Sequence, residues 1–110
     1  MGRSLTMKKI NLNDYEIDIP NELKSLLPGF VRRRFDDLQS LNFYLKSNQC
    51  SEISKIAHKI VGHGAGYGFT ALSELGALIE INAKSESIEE INFLIHNFEE
   101  VINEIKIKYL

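Results

Sequence analysis

"AHKIVGHGAGYGF", residues 57 to 69, interrupts a chain that otherwise reads as helix. The stretch carries two of the three histidines, His58 and His63, and four of the seven glycines, Gly62, Gly64, Gly66 and Gly68. Each glycine inside a helix costs about 1 kcal/mol relative to alanine. The fold turns on whether this segment is a glycine-rich loop or the end of a helix. The residues before it decide. Ile53, Ile56, Ala57, Ile60, Val61 and Gly64 recur at helical spacing. On a wheel with Ile53 at zero, Ile56, Ala57, Ile60 and Gly64 lie within about 60° and Val61 at about 80°. A helix therefore runs from about Ser51 into the middle sixties, with Gly66 and Gly68 leading the chain out.

The same periodicity extends in both directions. Val31, Phe35, Leu38, Leu41 and Leu45 mark a helix from Gly29 to about Asn48. Leu72, Leu75, Leu78 and Ile79 mark another after "YGFT", with Thr70 as its N-cap. "SIEE", residues 87 to 90, has the form of a capping box and launches a last helix on Ile91, Ile95, Phe98, Ile102 and Ile105. Pro20 to Leu27 reads as a short helix that Pro28 ends. Residues 1–19 form an N-terminal arm, in which "YEIDIP" alternates as an extended segment packed on something else. The expected fold is all-α: an antiparallel up-down four-helix bundle over residues 20–110 with a short extra N-terminal helix.

Composition narrows the function. The chain has 110 residues, enough for one core, and a formal net charge of −2 with both signs interspersed. That argues against nucleic-acid binding, which shows a basic excess. A single cysteine, Cys50, fits a reducing cytoplasm, and no apolar run reaches bilayer-spanning length. "MGRSLT" at the start matches a myristoylation pattern in form only, and an expression-vector remnant ahead of Met7 is another reading. The triple arginine Arg32, Arg33 and Arg34 reads as a solvated face, with Arg32–Asp36 and Arg33–Asp37 as exposed i, i+4 pairs. An Arg-bound phosphate is the alternative.

The wheel separates the two histidines. His58 falls at about 140°, outside the buried stripe, and His63 at about 280°. Lys55 and Gly62 flank His58 on the exposed strip, one turn before and one turn after. Gly62 faces away from the core, so packing does not account for it, whereas Gly64 is placed for a close helix contact. A neutral, exposed imidazole is a nucleophile near pH 7 and can take and return a phosphoryl group. Small residues beside it give a partner room. Competing motifs fail. G-x-G-x-x-G would need glycine at Tyr67 or Phe69 and a preceding strand. The histidines are not spaced as metal ligands, with His58 and His63 at i, i+5 and His96 on another helix. Tyr67 and Phe69 read as core or loop-anchoring aromatics.

"AHKIVGHGAGYGF...LSELGALIE" resembles a histidine-containing phosphotransfer (HPt) domain. The family pattern is roughly A-H-x-L-K-G-S-x-x-x-x-x-G followed by a helix ending in L-E. Ala57, His58, Ile60, Gly62 and Gly68 match it, and Leu72, Leu75, Leu78 and Glu80 continue it. "PGF-V-RRR-FDDL", Pro28 to Leu38, is similar to a bacterial subgroup that carries "GYGF". The resemblance covers residues 20–110. It implies that His58 is the phosphoacceptor of a cytoplasmic, monomeric carrier without kinase activity of its own. It implies a receiver domain as partner, on a response regulator or hybrid kinase, which supplies the aspartate and the Mg²⁺. No cofactor or metal is expected on this chain, nor a membrane or nucleic-acid partner. The departure is Val61, where the family has lysine. Lys55 or Lys59 then stands in as the phosphate-stabilising cation, with Gly62 as a partner-contacting position. An interaction module that binds a receiver or kinase without carrying phosphate is the second reading, and a purely structural bundle the third.

Overall fold

In a computed structural model the described residues are 8–110, so "MGRSLT" lies outside them. Four α-helices account for most of this length: α1 (Leu27–Lys46), α2 (Cys50–Gly66), α3 (Thr70–Lys84) and α4 (Ile88–Tyr109). They form an antiparallel four-helix bundle in which α1 and α3 each pack against both α2 and α4. Each helix turns its apolar stripe inward. Ile53 and Ile60 of α2, Leu72, Leu75 and Ile79 of α3, and Ile91 and Phe98 of α4 are all fully buried.

The short N-terminal helix is a 3-10 helix, Asn21–Leu26, that runs straight into α1. Pro28 does not separate the two. It sits in the first turn of α1, where its missing N–H is no loss.

The three turns between helices share one design. Asn48, Gly68 and Glu86 each adopt positive φ, at 55°, 83° and 55°. In each turn the next N–H reaches back to close a Schellman motif: Gln49 to the Tyr44 carbonyl, Phe69 to Gly64, and Ser87 to Asn82. The residue that closes the turn is also the N-cap of the following helix. This arrangement corrects two expectations. Thr70 is the first residue of α3 and Phe69 its N-cap, because the turn consumes Phe69. Ser87 does occupy the N-cap of α4, but no capping box forms. Its backbone N–H is given to Asn82, and its hydroxyl pairs with that of Ser85 at 2.9 Å.

The tightest helix contact joins α2 and α3. A Cβ at Gly64 would meet the Ser73 backbone nitrogen at 2.8 Å, and one at Gly76 would meet the Ala57 carbonyl at 2.9 Å. The Ser73 hydroxyl donates to the Val61 carbonyl across the same seam. Below it, Phe30 stacks on Tyr67 with centroids 4.1 Å apart, and Phe69 meets Tyr109 edge-on.

The arm packs on its own bundle. Leu12 is fully buried, and Tyr15, Ile17 and Ile19 pack against the core. Buried Asn97 of α4 pins it, accepting from the Ile10 N–H at 2.7 Å and donating to the Ile10 carbonyl at 2.9 Å. Tyr15 donates to Glu74 of α3 at 2.7 Å. The arginine run departs from the expected solvated face. Arg34 is buried, its Nε donating to Asp37 at 2.8 Å and its guanidinium over the Phe30 ring. Asp37 therefore pairs with Arg34 rather than Arg33, because position 34 follows Phe30 by four residues and Val31 by three and so shares their buried face.

Two outcomes are expected. Glu86→Gly raises stability by about 1 kcal/mol by relieving the left-handed backbone, whereas Gly68→Ala lowers it by about 2 kcal/mol or more, since its Cβ would also strike the Asp18 carbonyl. Thermal melts of the two variants check both signs. The bond to Glu74, then burial, pushes the Tyr15 hydroxyl from 10.0 up to about 12. A group raised in the folded state stabilises below its unfolded pKa and loses that contribution as pH rises through the folded one. Chemical denaturation from pH 10 to 12 should show an alkaline loss of stability that Tyr15→Phe reduces.

Candidate functional site

His58 lies midway along α2 on its outer face, with its side chain 76% exposed. Ala57 and Ile60 beside it are fully buried, so the helix is anchored while the ring projects. The ring has a partner on the neighbouring helix. Its Nδ1 lies 3.2 Å from Glu80 Oε2 and 3.5 Å from Oε1, across the groove on α3. An ionised carboxylate only accepts, so the hydrogen between them belongs to Nδ1, and in the neutral ring Nε2 carries the lone pair.

Glu80 is shared. Lys84, one turn further along α3, brings its Nζ to 3.6 Å from the same Oε2. Imidazole, carboxylate and ammonium thus form a chain that spans two helices. Lys55 lies one turn before His58, with its Nζ 3.4 Å from Glu52. Lys59 is exposed, but it serves the other flank: its charge acts on His63. One turn after His58, a Cβ at Gly62 would meet nothing within 4 Å. That position is open space beside the ring.

An open depression of ≈ 350 Å³ continues the α2–α3 groove beyond His58, lined by Cys50, Ser51, Ser54, Lys55, Ala83, Lys84 and Glu86. The Cys50 thiol is pushed up by burial and then by Glu86, which disfavours the thiolate.

The structure keeps the second histidine apart from the first. His63 is held below the ordinary histidine range by burial, then by Arg34, with Asp37 opposing and Lys59 and Arg33 adding. It belongs to the flank facing α1. His96 is exposed on α4, its Nδ1 bonded to the Asn92 carbonyl at 2.9 Å. Among the described residues no group of three or more His, Cys, Asp or Glu side chains is placed to hold a metal ion. None of their helices is long and apolar enough to cross a membrane.

Of the residues singled out by sequence, His58, Lys55 and Gly62 share one face, and Val61 lies at the edge of the core beside them. Sequence reasoning gave no role to Glu80 and did not reach Lys84. The signal for both is the pairing of α2 with α3. Gly64 faces Ser73, Val61 faces Gly76, and His58 faces Glu80. Each step back along α2 is matched by a step forward along α3.

No family model matches the chain, and no curated protein or solved structure matches it.

The His58 tautomer is directly measurable. ¹⁵N-resolved imidazole spectra above the ring's titration should show Nδ1–H and a bare Nε2. Glu80→Ala should shift the ring toward the Nε2–H form that an unpartnered imidazole prefers. An unchanged tautomer in that variant would remove Glu80 as the orienting group.

Proposed function

We propose that this chain is a phosphocarrier of the HPt type, accepting and returning a phosphoryl group on His58 Nε2. The aspartyl phosphate of a receiver domain is the other party. The observation that carries the reading is the bond from His58 Nδ1 to Glu80 on an otherwise open surface.

The chemistry follows from that bond. The Nε2 lone pair attacks phosphorus in line with the scissile P–O bond. The N–P bond forms, the P–O bond to the aspartate breaks, and the carboxylate leaves with the electron pair. Nδ1 keeps its proton, so positive charge develops on the ring as it is phosphorylated. Glu80 faces that charge and stabilises it. The return transfer uses the same arrangement, since a cationic ring is a good leaving group. The metal needed to shield the phosphoryl oxygens belongs to the receiver. Attack of this kind needs a partner to close over the ring, and the space at Gly62 admits one.

Incubation with phosphorylated receivers should place acid-labile, alkali-stable phosphate on the wild type and none on His58→Gln. Glu80→Gln should slow transfer about tenfold, the value of one charge-assisted hydrogen bond discounted for exposure. Gly62→Leu separates fold from function: the helix gains about 0.8 kcal/mol of propensity, while transfer falls because the approach is blocked. Binding of a receiver without label on the wild type would favour the interaction module, the reading that Val61 supports.

A further inference from the structure

Phosphorylation adds close to two negative charges beside His58, and the position where the resembling family carries a lysine is Val61. Three lysines lie nearby, and their placement distinguishes them. Lys59 stands one turn before His63 on α2, about 100° around the helix from His58, and its charge acts on the His63 ring. Lys55 rests against Glu52, its own neighbour on α2. Lys84 alone of the three pairs with the carboxylate that also holds the His58 ring. It arrives from α3, at the level of Ser54 and Lys55 across the groove, and its side chain is 70% exposed. A long, solvated stem lets the ammonium swing from Glu80 to an incoming oxyanion.

We infer that Lys84 is the cation of the phosphorylated state, replacing from α3 the charge that residue 61 does not supply. In the resting protein its ammonium shares Glu80 with the imidazole. When Nε2 takes the phosphoryl group, the ring becomes the cation that Glu80 balances, and Lys84 is released to the phosphoryl oxygens. Ser54 and Lys55 line the same depression, so an oxyanion leaning toward it meets two ammonium groups and a hydroxyl. The inference rests on the phosphocarrier reading and assigns within it a residue that no sequence motif marks.

Phosphoramidate tests it without a receiver. The donor's P–N bond breaks, ammonia leaves, and the Nε2–P bond forms. In Lys84→Met the rate of labelling should fall about fivefold, the effect of one exposed ion pair. Lys84→Arg should stay close to wild type, and adding Val61→Lys to Lys84→Met should restore most of the loss. Equal rates for wild type and Lys84→Met overturn the inference, as do equally slow Met and Arg variants, which would make the residue's shape rather than its charge responsible. Matching circular dichroism and Tm across the set establish that the fold is common to all. A wild type labelled neither by phosphoramidate nor by any phosphorylated receiver is a different failure: it removes the phosphocarrier reading itself, and this inference with it.

Discussion

The structure depends on how closely α2 and α3 approach. Two glycines, one on each helix, remove the side chains that would hold the backbones apart: Gly64 against Ser73, and Gly76 against Ala57 and Val61. A methyl group at either position would lie within 3 Å of main-chain atoms of the other helix. The contact fixes separation and register together. Once these positions are paired, the residues above them have no choice of neighbour. His58 meets Glu80, and Lys84 comes level with Lys55. The face that carries His58, Glu80 and Lys84 follows from this packing.

This dependence gives the glycines of the segment unlike roles. Gly64 serves the helix contact and Gly68 the left-handed turn, while Gly62 leaves open space one turn beyond His58. Gly66 meets nothing nearby and has no positive φ. A helix weakened by several glycines is held by its neighbours, through the Ser73 hydroxyl, the stacked Phe30 and Tyr67, and the buried isoleucines on its inner side. The stability of α2 is tertiary, as is common for helices of this length.

The bundle was legible in the sequence because helical periodicity is a local signal, and the stripes of α2 and α3 repeat without interruption. The exposure of His58 and the role of Gly64 were legible for the same reason, since both follow from angle on one helix. What was hidden lies between helices. Gly76 looks like an ordinary small residue until Ala57 is placed against it. Asn97 looks like a polar break in an apolar stripe until the Ile10 backbone supplies its partners. Arg34 was read with its charged neighbours as solvated, yet Phe30 and Asp37 draw it inward. Glu80 and Lys84 stand over twenty residues from His58, and only the pairing of the two helices brings them together. Ser87 and Thr70 misled for a different reason: the Schellman turn makes Phe69 rather than Thr70 the N-cap of α3, and at α4 it takes the Ser87 N–H while the Ser87 hydroxyl pairs with Ser85.

The turn at Tyr67 to Phe69 has a consequence for how this surface can change over time. It contains no spare residue. Tyr67 is the C-cap of one helix, Gly68 reverses the chain, and Phe69 is the N-cap of the next. One residue more or less would rotate α3 against α2 by about 100°, carrying Glu80 away from His58 even if both helices stayed intact. Point substitutions can vary this face gradually, but a length change in the turn takes the chain to a different surface in one step. Chains that share the His58–Glu80 pair should therefore vary in the composition of this turn and hold its length fixed.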